Sequence, residues 1–390
     1  MFKSTLARSV AILTQALAAY AGMAGSAALA GPVELSAPVD PVVEKSIYDK
    51  IWQIPVIYKN KDNAFLQEFR FTGRLHLDNY GVNSDLGHDQ DWIVRRWRMG
   101  FKAQLLQKLT AHVEVDLNPQ GPDPLYSRLT DAYLSWAFSD AVKLTVGKHS
   151  VKFTLDGATS SNELITIDRN NIANNFWFPT EYISGVSLSG KIGEFQYNTG
   201  LFSGGTESSE FGNFDAGNFW LGSVGYDFGK ALGVKKALLR ADYVYNDPNP
   251  ESDATRSFEQ IGSLVFQLDA DKWGVSADVT AGQGFGRQSD TWGAAIMPWF
   301  KITDKLQVVG RYTYIASDED NGVRFSRYES VMTSGRGNEY NELYAGLNYY
   351  LYGHKLKVQT GLTYTWMDDE ANDGGQYEGW TWTTGLRISF

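Results

Sequence analysis

Polar and apolar residues alternate along most of the chain after residue 65, and the pattern is clearest at the C-terminus. In the last eleven residues, WTWTTGLRISF (380–390), one parity is mostly Trp, Leu, Ile and Phe, and the other is Thr, Gly, Arg and Ser. Successive side chains of a strand point to opposite faces, whereas a helix would scatter these residues around its circumference. The pattern therefore predicts a strand with one apolar and one polar face.

The same alternation predicts sixteen strands between Phe65 and Phe390, joined by links that alternate in length. The short links lie near residues 107, 139–140, 193, 229–236, 270–271, 303–304 and 353–354. The long links cover 78–91, 118–128, 152–182, 203–217, 247–257, 282–290, 315–339 and 366–377. A soluble sandwich has no reason to sort its loops in this way, but an outer-membrane barrel does. We therefore predict an all-β fold, a 16-stranded antiparallel transmembrane β-barrel with short periplasmic turns and long external loops.

The first 63 residues differ in composition from the rest of the chain. Lys3 and Arg8 precede an apolar run that ends in small residues at Ala30, which is typical of a cleaved signal peptide over 1–30. Four prolines interrupt residues 31–63, which we interpret as a periplasmic lead-in or a segment in the barrel mouth, with a flexible tail as the alternative. The barrel domain then covers 64–390.

Composition excludes several classes of function. The chain is acidic, with a net charge of −10, and non-specific binding of nucleic acid requires clustered bases. It contains no cysteine, so thiolate metal sites and disulfides are excluded, and its five histidines lack metal-ligand spacing. No cofactor, metal or catalytic step is predicted.

Several segments resemble the phosphate-selective porins O and P family: RRWRMGFKAQLLQKLTAHVEVD (95–116), LTVGKHSVKF (144–153), TSSNELITIDRN (159–170) and NELYAGLNYYLYGHKLKVQTGLTY (341–364). The resemblance implies a 16-stranded barrel, commonly a homotrimer, with the loop after the fifth strand folded into the lumen and a basic pathway for anions. It also implies that outer-membrane assembly machinery reads the terminal Phe390. One difference from phosphate-selective members is that the loops of this chain are mostly acidic.

Strand parity places a set of bases on the lumen side of the wall: Arg70, Arg74, Arg96, Arg98, Lys102, Arg311 and Arg387. Fewer acids share that face, chiefly Glu114, Asp116 and Asp131. Guanidinium groups suit carboxylate and phosphate oxygens, so the bases could line an anion pathway. The alternative is that they pair with these acids and only make the barrel rigid, and both can hold together.

The longest link, 152–182, contains three further candidates, Glu163, Asp168 and Arg169. We predict that these residues narrow the pore opposite Arg96 and Arg98, whereas the alternative is an exposed surface loop. A loop of this length requires a function or is disordered.

The favoured function is passive diffusion of small anionic or neutral solutes across the outer membrane, with a preference for anions such as phosphate. The barrel would be in contact with outer-membrane lipid, and no enzymatic activity is predicted. Two alternatives stay open: an outer-membrane lipid hydrolase, and a structural barrel that tethers the envelope through residues 31–63.

Overall fold

The fold is described by a computed structural model that covers residues 46–121, 123–206 and 211–390. Sixteen long strands pair in sequence order, each antiparallel to the next. The last strand pairs with the first, with Leu386 opposite Leu77, so the sheet closes on itself. The predicted 16-stranded barrel is therefore confirmed. The predicted signal peptide and residues 31–45 of the lead-in lie outside the described residues.

In chain order the elements are α1 (Ile47–Ile51), β1 (Val56–Lys59), β2 (Leu66–Ser84), β3 (Gly87–Leu105), β4 (Leu109–Leu117), β5 (Tyr126–Ser139), β6 (Val142–Ser150), α2 (Leu155–Ala158), α3 (Asn171–Phe176), β7 (Tyr182–Ile192), β8 (Phe195–Gly205), β9 (Asn213–Asp227), α4 (Gly229–Leu232), β10 (Lys236–Asn246), β11 (Phe258–Asp269), β12 (Trp273–Gly284), β13 (Thr291–Lys301), β14 (Leu306–Ser317), β15 (Val323–Arg324), a 3₁₀ turn (Glu329–Val331), β16 (Arg336–Gly337), β17 (Glu339–Tyr352), β18 (Leu356–Asp368) and β19 (Tyr377–Ser389). The barrel wall is β2 to β14 and β17 to β19. No helix in the described ranges is long and apolar enough to cross a membrane.

The wall is polar inside and apolar outside. In β19, Thr381, Thr383 and Arg387 are buried, whereas the large rings of Trp380 and Trp382 are 49% and 43% exposed. A soluble protein would bury these rings, because fully burying a large apolar side chain stabilises it by about 1.5–3 kcal/mol. An apolar outer surface of this kind is stable in the hydrocarbon of a bilayer.

The two ends of the barrel differ in the length of their connections. One end carries turns of a few residues and is called the short-turn rim; the other carries most of the longer segments and is called the long-loop rim. One predicted long link is wrong: 78–91 is strand, because β2 continues to Ser84 and β3 starts at Gly87. Its polar residues obscured the alternation that marks a strand. Polar side chains of the hairpin bond to each other, as when the Tyr80 hydroxyl donates to Asp89 at 2.8 Å.

Two segments from the long-loop rim occupy the lumen: residues 151–181, called the cross-loop, and residues 318–338, called the lid loop. The aromatic side chains of the cross-loop pack on one wall of the barrel. Phe178 stacks on Phe219 of β9 at 4.9 Å between ring centroids, and Phe176 stacks on Phe258 of β11 at 5.4 Å. These contacts place aromatic rings of the cross-loop against β9 and β11.

Candidate functional site

The cross-loop is held on one wall by two buried carboxylates. Asp242 accepts the backbone N–H of Thr154 at 3.1 Å, and Asp278 accepts that of Leu155 at 2.8 Å. These N–H groups begin α2, and the first N–H groups of a helix have no partner within the helix. The wall acids therefore act as caps for a helix that lies in the lumen.

The opposite wall holds the same segment by its carbonyl groups. The buried Lys357 ammonium of β18 donates to the carbonyl of Leu164 at 2.5 Å, and Arg387 of β19 donates to that of Ile167 at 3.1 Å. Because β10, which holds Thr154, lies nearly opposite β19, which holds Ile167, in the closed wall, the cross-loop spans the lumen.

A ladder of basic side chains follows the lumen face of β2 and β3. Three pairs lie directly opposite each other across the two strands: His76 and Arg96, Arg74 and Arg98, and Arg70 and Lys102. Like charges that face each other directly across a sheet are destabilising. The ladder therefore needs counter-charges from elsewhere in the lumen.

Part of that charge comes from the acids predicted to face the ladder. Arg74 lies 3.3 Å from Glu114, and Arg98 lies 3.4 Å from Asp116 and 2.5 Å from Glu181 of the cross-loop. The third predicted acid, Asp131, is not paired with an arginine. Its nearest base is the His112 ring, at 3.9 Å.

The other two predicted bases form buried pairs of their own. Arg311 lies 2.7 Å from Glu342, and Arg387 contacts Asp78. Sequence reasoning named neither acid as facing the lumen. Asp78 was missed because it fell in the supposed loop 78–91. Both arginines also donate to cross-loop carbonyls, so these pairs support the loop as well as the wall.

A β-bulge adds one lumen-facing arginine that parity could not predict. His76 lies opposite Arg96 and Leu77 opposite Val94, so Arg95 is the extra residue between two paired positions. A bulge breaks the strict alternation of faces. The guanidinium of Arg95 lies 3.2 Å from Asp168 of the cross-loop, and it forms the contact that had been expected of Arg96.

The three predicted constriction residues do not lie together. Asp168 contacts Arg95 and, at 3.6 Å, Arg327 of the lid loop. The Arg169 guanidinium lies 4.6 Å from the ring centroid of Trp177. Glu163 is exposed and lines two cavities toward the short-turn rim, so it does not face the arginines of β3.

The carboxylates of the cross-loop are held in their charged form. Burial alone would raise the pKa of Asp168, but Arg95, Arg327 and Arg96 hold that pKa below its usual value. At Glu181, burial would likewise raise the pKa, but Arg98, Arg169 and Arg96 hold it well below its usual range. Both acids are therefore anionic at neutral pH.

The lid loop closes the same region from the long-loop rim. Tyr328 donates to Asp78 at 2.7 Å, and Thr365 donates to Glu329 at 2.9 Å. The loop pattern predicts that Tyr328 and Glu329 belong to the external link 315–339. The apolar residues among them, such as Phe325, gave a signal that part of the loop is buried.

Strand β3, the cross-loop and the lid loop together enclose a cavity of about 380 Å³, called the arginine cavity. Eight arginines and five acids form its charged lining. The arginines are Arg95, Arg96, Arg98, Arg128, Arg169, Arg256, Arg311 and Arg327, and the acids are Asp116, Asp168, Glu181, Glu329 and Glu342. Arg96 is 6% exposed, and its guanidinium makes no hydrogen bond or ion pair with any residue in the described ranges.

Two further observations concern metal-ligating side chains and the C-terminal residue. No group of three or more histidine or acidic side chains in the described parts of the chain is arranged to hold a metal ion. The backbone of Phe390 pairs with Gly73 through two 3.0 Å hydrogen bonds, and its ring lies 5.6 Å from that of Phe71. The terminal residue thus belongs to the seam between β19 and β2.

Comparison with known proteins identifies one family and a common fold. The family model described as phosphate-selective porin O and P matches residues 69–295. Solved structures with the same fold include OmpF of Salmonella typhi (TM-score 0.60, 12% identity, 86% of this chain and 100% of that chain) and an anion-selective porin from Comamonas acidovorans (TM-score 0.56, 12% identity, 83% and 99%). The outer-membrane channel DcaP of Acinetobacter baumannii is also similar (TM-score 0.54, 14% identity, 85% and 99%). No curated protein sequence matches significantly.

Proposed function

Since the chain belongs to the phosphate-selective porin O and P family, we propose that its lumen is an anion-preferring path for small solutes across the outer membrane. Family and fold together make the chain an outer-membrane channel. The proposal adds the sign of the preferred charge and the residues that set it. The path passes through the arginine cavity, which β3 lines together with the cross-loop and the lid loop.

One observation carries the proposal: the guanidinium of Arg96 is buried and has no partner among the described residues. The two acids across the cavity, Asp168 and Glu181, are already bound by Arg95, Arg98 and Arg169. An unpaired buried charge is costly, and an anion in the cavity would offset that cost.

The size of the attraction follows from Coulomb's law. A monovalent anion 4 Å from the Arg96 guanidinium gains about 1 kcal/mol at the dielectric constant of water and about 4 kcal/mol at an effective value near 20. Conduction requires binding that is weak enough to allow release. The five acids of the cavity lower its positive charge and keep the attraction within such limits.

The test is the reversal potential of single channels in a planar bilayer under a KCl gradient. We expect anion preference in the natural protein and a reduction of the anion-to-cation permeability ratio by about fivefold or more in Arg96→Gln, the equivalent of about 1 kcal/mol. Arg287→Gln, an exposed arginine outside the lumen, is the matched control. Cation preference in the natural protein, or equal shifts in both variants, would contradict the proposal.

The remaining features are proposals based on the family resemblance. They are a homotrimer, cleavage of residues 1–30, surrounding outer-membrane lipid and recognition of Phe390 by barrel assembly machinery. Chemical cross-linking in native membranes tests the trimer. Comparing chloride, phosphate and an organic anion on the same channels tests which solute is preferred.

A further inference from the structure

A tryptophan ring lies on the inner face of the barrel wall near the short-turn rim. Trp299 belongs to β13, in which the next residue, Phe300, points outward and is 49% exposed. Successive side chains of a strand point to opposite faces, so Trp299 faces the lumen. The interior of outer-membrane barrels is generally polar. A large aromatic ring at this position therefore differs from an ordinary water-filled wall.

The ring of Trp299 is held against the wall by its neighbours. Gly274 of β12 lies directly opposite, and a Cβ atom at that position would lie 2.5 Å from the ring. The ring also packs against a buried cluster that contains Leu155 of the cross-loop and Met297 of β13. Trp299 is only partly buried, and the Lys301 ammonium lies 5.6 Å from the ring centroid. Part of a fixed aromatic surface is thus open to the lumen.

Trp299 lines a cavity of about 620 Å³ between the cross-loop and the wall, called the tryptophan pocket. Its volume lies within the range of about 300–1,000 Å³ that is usual for sites of small organic molecules. Gln307 of β14 lines this pocket, whereas Arg311 of the same strand lines the arginine cavity. Four residues of a strand span roughly 13 Å, so the two cavities are separate sites along the lumen.

The tryptophan pocket carries no net charge. Four bases and four acids line it: Lys235, Lys236, Lys301 and Lys305, and Asp156, Glu163, Asp269 and Asp304. His354, in the turn after β17, is uncharged because burial lowers its pKa to about 4. The arginine cavity, in contrast, has eight arginines and five acids. An ion of either sign gains little from a balanced lining, so the tryptophan pocket suits an uncharged solute.

Two polar groups of the tryptophan pocket have hydrogen-bonding capacity that the protein does not use. The side-chain oxygen of Gln307 accepts from Tyr350 at 2.6 Å and from Asn348 at 2.9 Å. These bonds fix the amide and leave its nitrogen without a partner in the described part of the chain. The exposed carboxylate of Glu163 likewise makes no hydrogen bond or ion pair there. A hydroxyl group both donates and accepts, so it can bond to either group.

We propose that the tryptophan pocket binds neutral pyranose sugars on their way through the lumen. A pyranose has a face of C–H groups that can stack on an indole ring, hydroxyls around its edge, and no charge. An aromatic anion could also stack on Trp299, but it would meet the unpaired carboxylate of Glu163. An organic cation would meet four lysines. The inference goes beyond the anion preference and does not depend on it.

The experiment measures the chloride current of full-length channels in planar bilayers with solute added on both sides. Glucose, a pyranose, is compared with sorbitol, which has the same number of carbon atoms but no ring. Trp299→Ala removes the indole, and Trp299→Phe keeps an aromatic ring. Trp273→Ala is the matched control, because Trp273 lies at the same rim on β12 and is 41% exposed on the outer face. Glu163→Ala removes an exposed side chain without partners, so misfolding cannot explain its effect.

We expect glucose to reduce the current of the natural channel at concentrations at which sorbitol does not. The Trp299→Ala channel should need at least about fivefold more glucose for the same reduction, the equivalent of about 1 kcal/mol. Trp299→Phe should shift less, and Glu163→Ala should shift in the same direction as Trp299→Ala. Trp273→Ala should match the natural protein.

Equal effects of glucose and sorbitol on the natural channel would overturn the proposal. Equal glucose requirements in Trp299→Ala and Trp273→Ala would do the same. A stronger reduction by benzoate than by glucose, lost in Trp299→Ala, would assign the pocket to aromatic anions and would also refute the sugar site. The reversal potential is measured on the same channels, so a failure of the anion preference is seen separately from a failure of the tryptophan pocket.

Discussion

Replacing Asp278 by alanine tests whether the wall acids hold the cross-loop in the lumen. Asp278 is fully buried and accepts three hydrogen bonds: from the backbone N–H of Leu155, and from the hydroxyls of Ser263 and Thr280. The two hydroxyls can bond to each other after the substitution, since they already lie 3.0 Å apart. The Leu155 N–H, by contrast, loses its acceptor.

The expected magnitude follows from that single lost bond. A hydrogen bond to a charged group contributes about 1.5–3 kcal/mol, and a buried donor left unpaired costs a similar amount. The population in which the start of the cross-loop leaves the wall should therefore rise by about 10- to 150-fold. The barrel wall should be affected much less, because its backbone ladder is intact.

Hydrogen exchange of the folded protein in detergent micelles measures this population directly. Amides of residues 151–181 should exchange faster by the stated factor in Asp278→Ala, while amides of β2 to β6 keep their rates. Ser135→Ala is the control, because it removes a buried wall hydroxyl whose partner is Thr145 and not the cross-loop. Unchanged exchange in 151–181, or an equal increase throughout the barrel, would refute the reasoning.

Two further predictions concern the lid loop and residues 46–65, called the N-terminal arm. Burial raises the pKa of Glu329 above its ordinary value of 4.5. As pH rises through 4.5, the released lid loop loses a proton that the bound loop keeps. Retention of the lid loop should therefore weaken as pH rises through that value. Glu329→Gln should make exchange of residues 318–338 less dependent on pH; an unchanged pH profile would count against this latch. Trp52→Phe removes the hydrogen bond to the Ser389 carbonyl at a cost of about 1 kcal/mol. Protease cleavage within the arm should therefore be about fivefold faster. Equal cleavage rates would show that this hydrogen bond does not hold the arm.

Strand alternation was sufficient to predict the barrel and most strand positions, because one face of every wall strand is apolar. This prediction failed where polar residues interrupt the alternation. The far ends of β2 and β3 carry polar residues such as Asp78 and Asn79, so the hairpin resembled a loop. Alternation also cannot detect a bulge, and Arg95 was therefore not among the bases predicted to face the lumen.

The lumen contents were less predictable, because they depend on contacts between residues far apart in the sequence. Arg98 meets Glu181, and Arg311 meets Glu342, through the path of the folded loop and the pairing of β14 with β17. Parity gives the side of a strand on which a residue lies, but not its partner across the barrel. For the same reason Glu163 could not be separated from Asp168 by sequence alone.

An acidic chain can still contain an anion path, because the effect of a charge depends on where it lies. Many of the acids that give the chain its net charge of −10 lie in exposed segments, such as 318–320 and 370–373, where salt screens them beyond about 8 Å. The arginines of the lumen are buried, and buried charges are screened much less. A solute inside the barrel is therefore governed by the lining of the arginine cavity, in which bases outnumber acids. Net charge accordingly says little about selectivity here, and the charges that line the cavities of the lumen say much more.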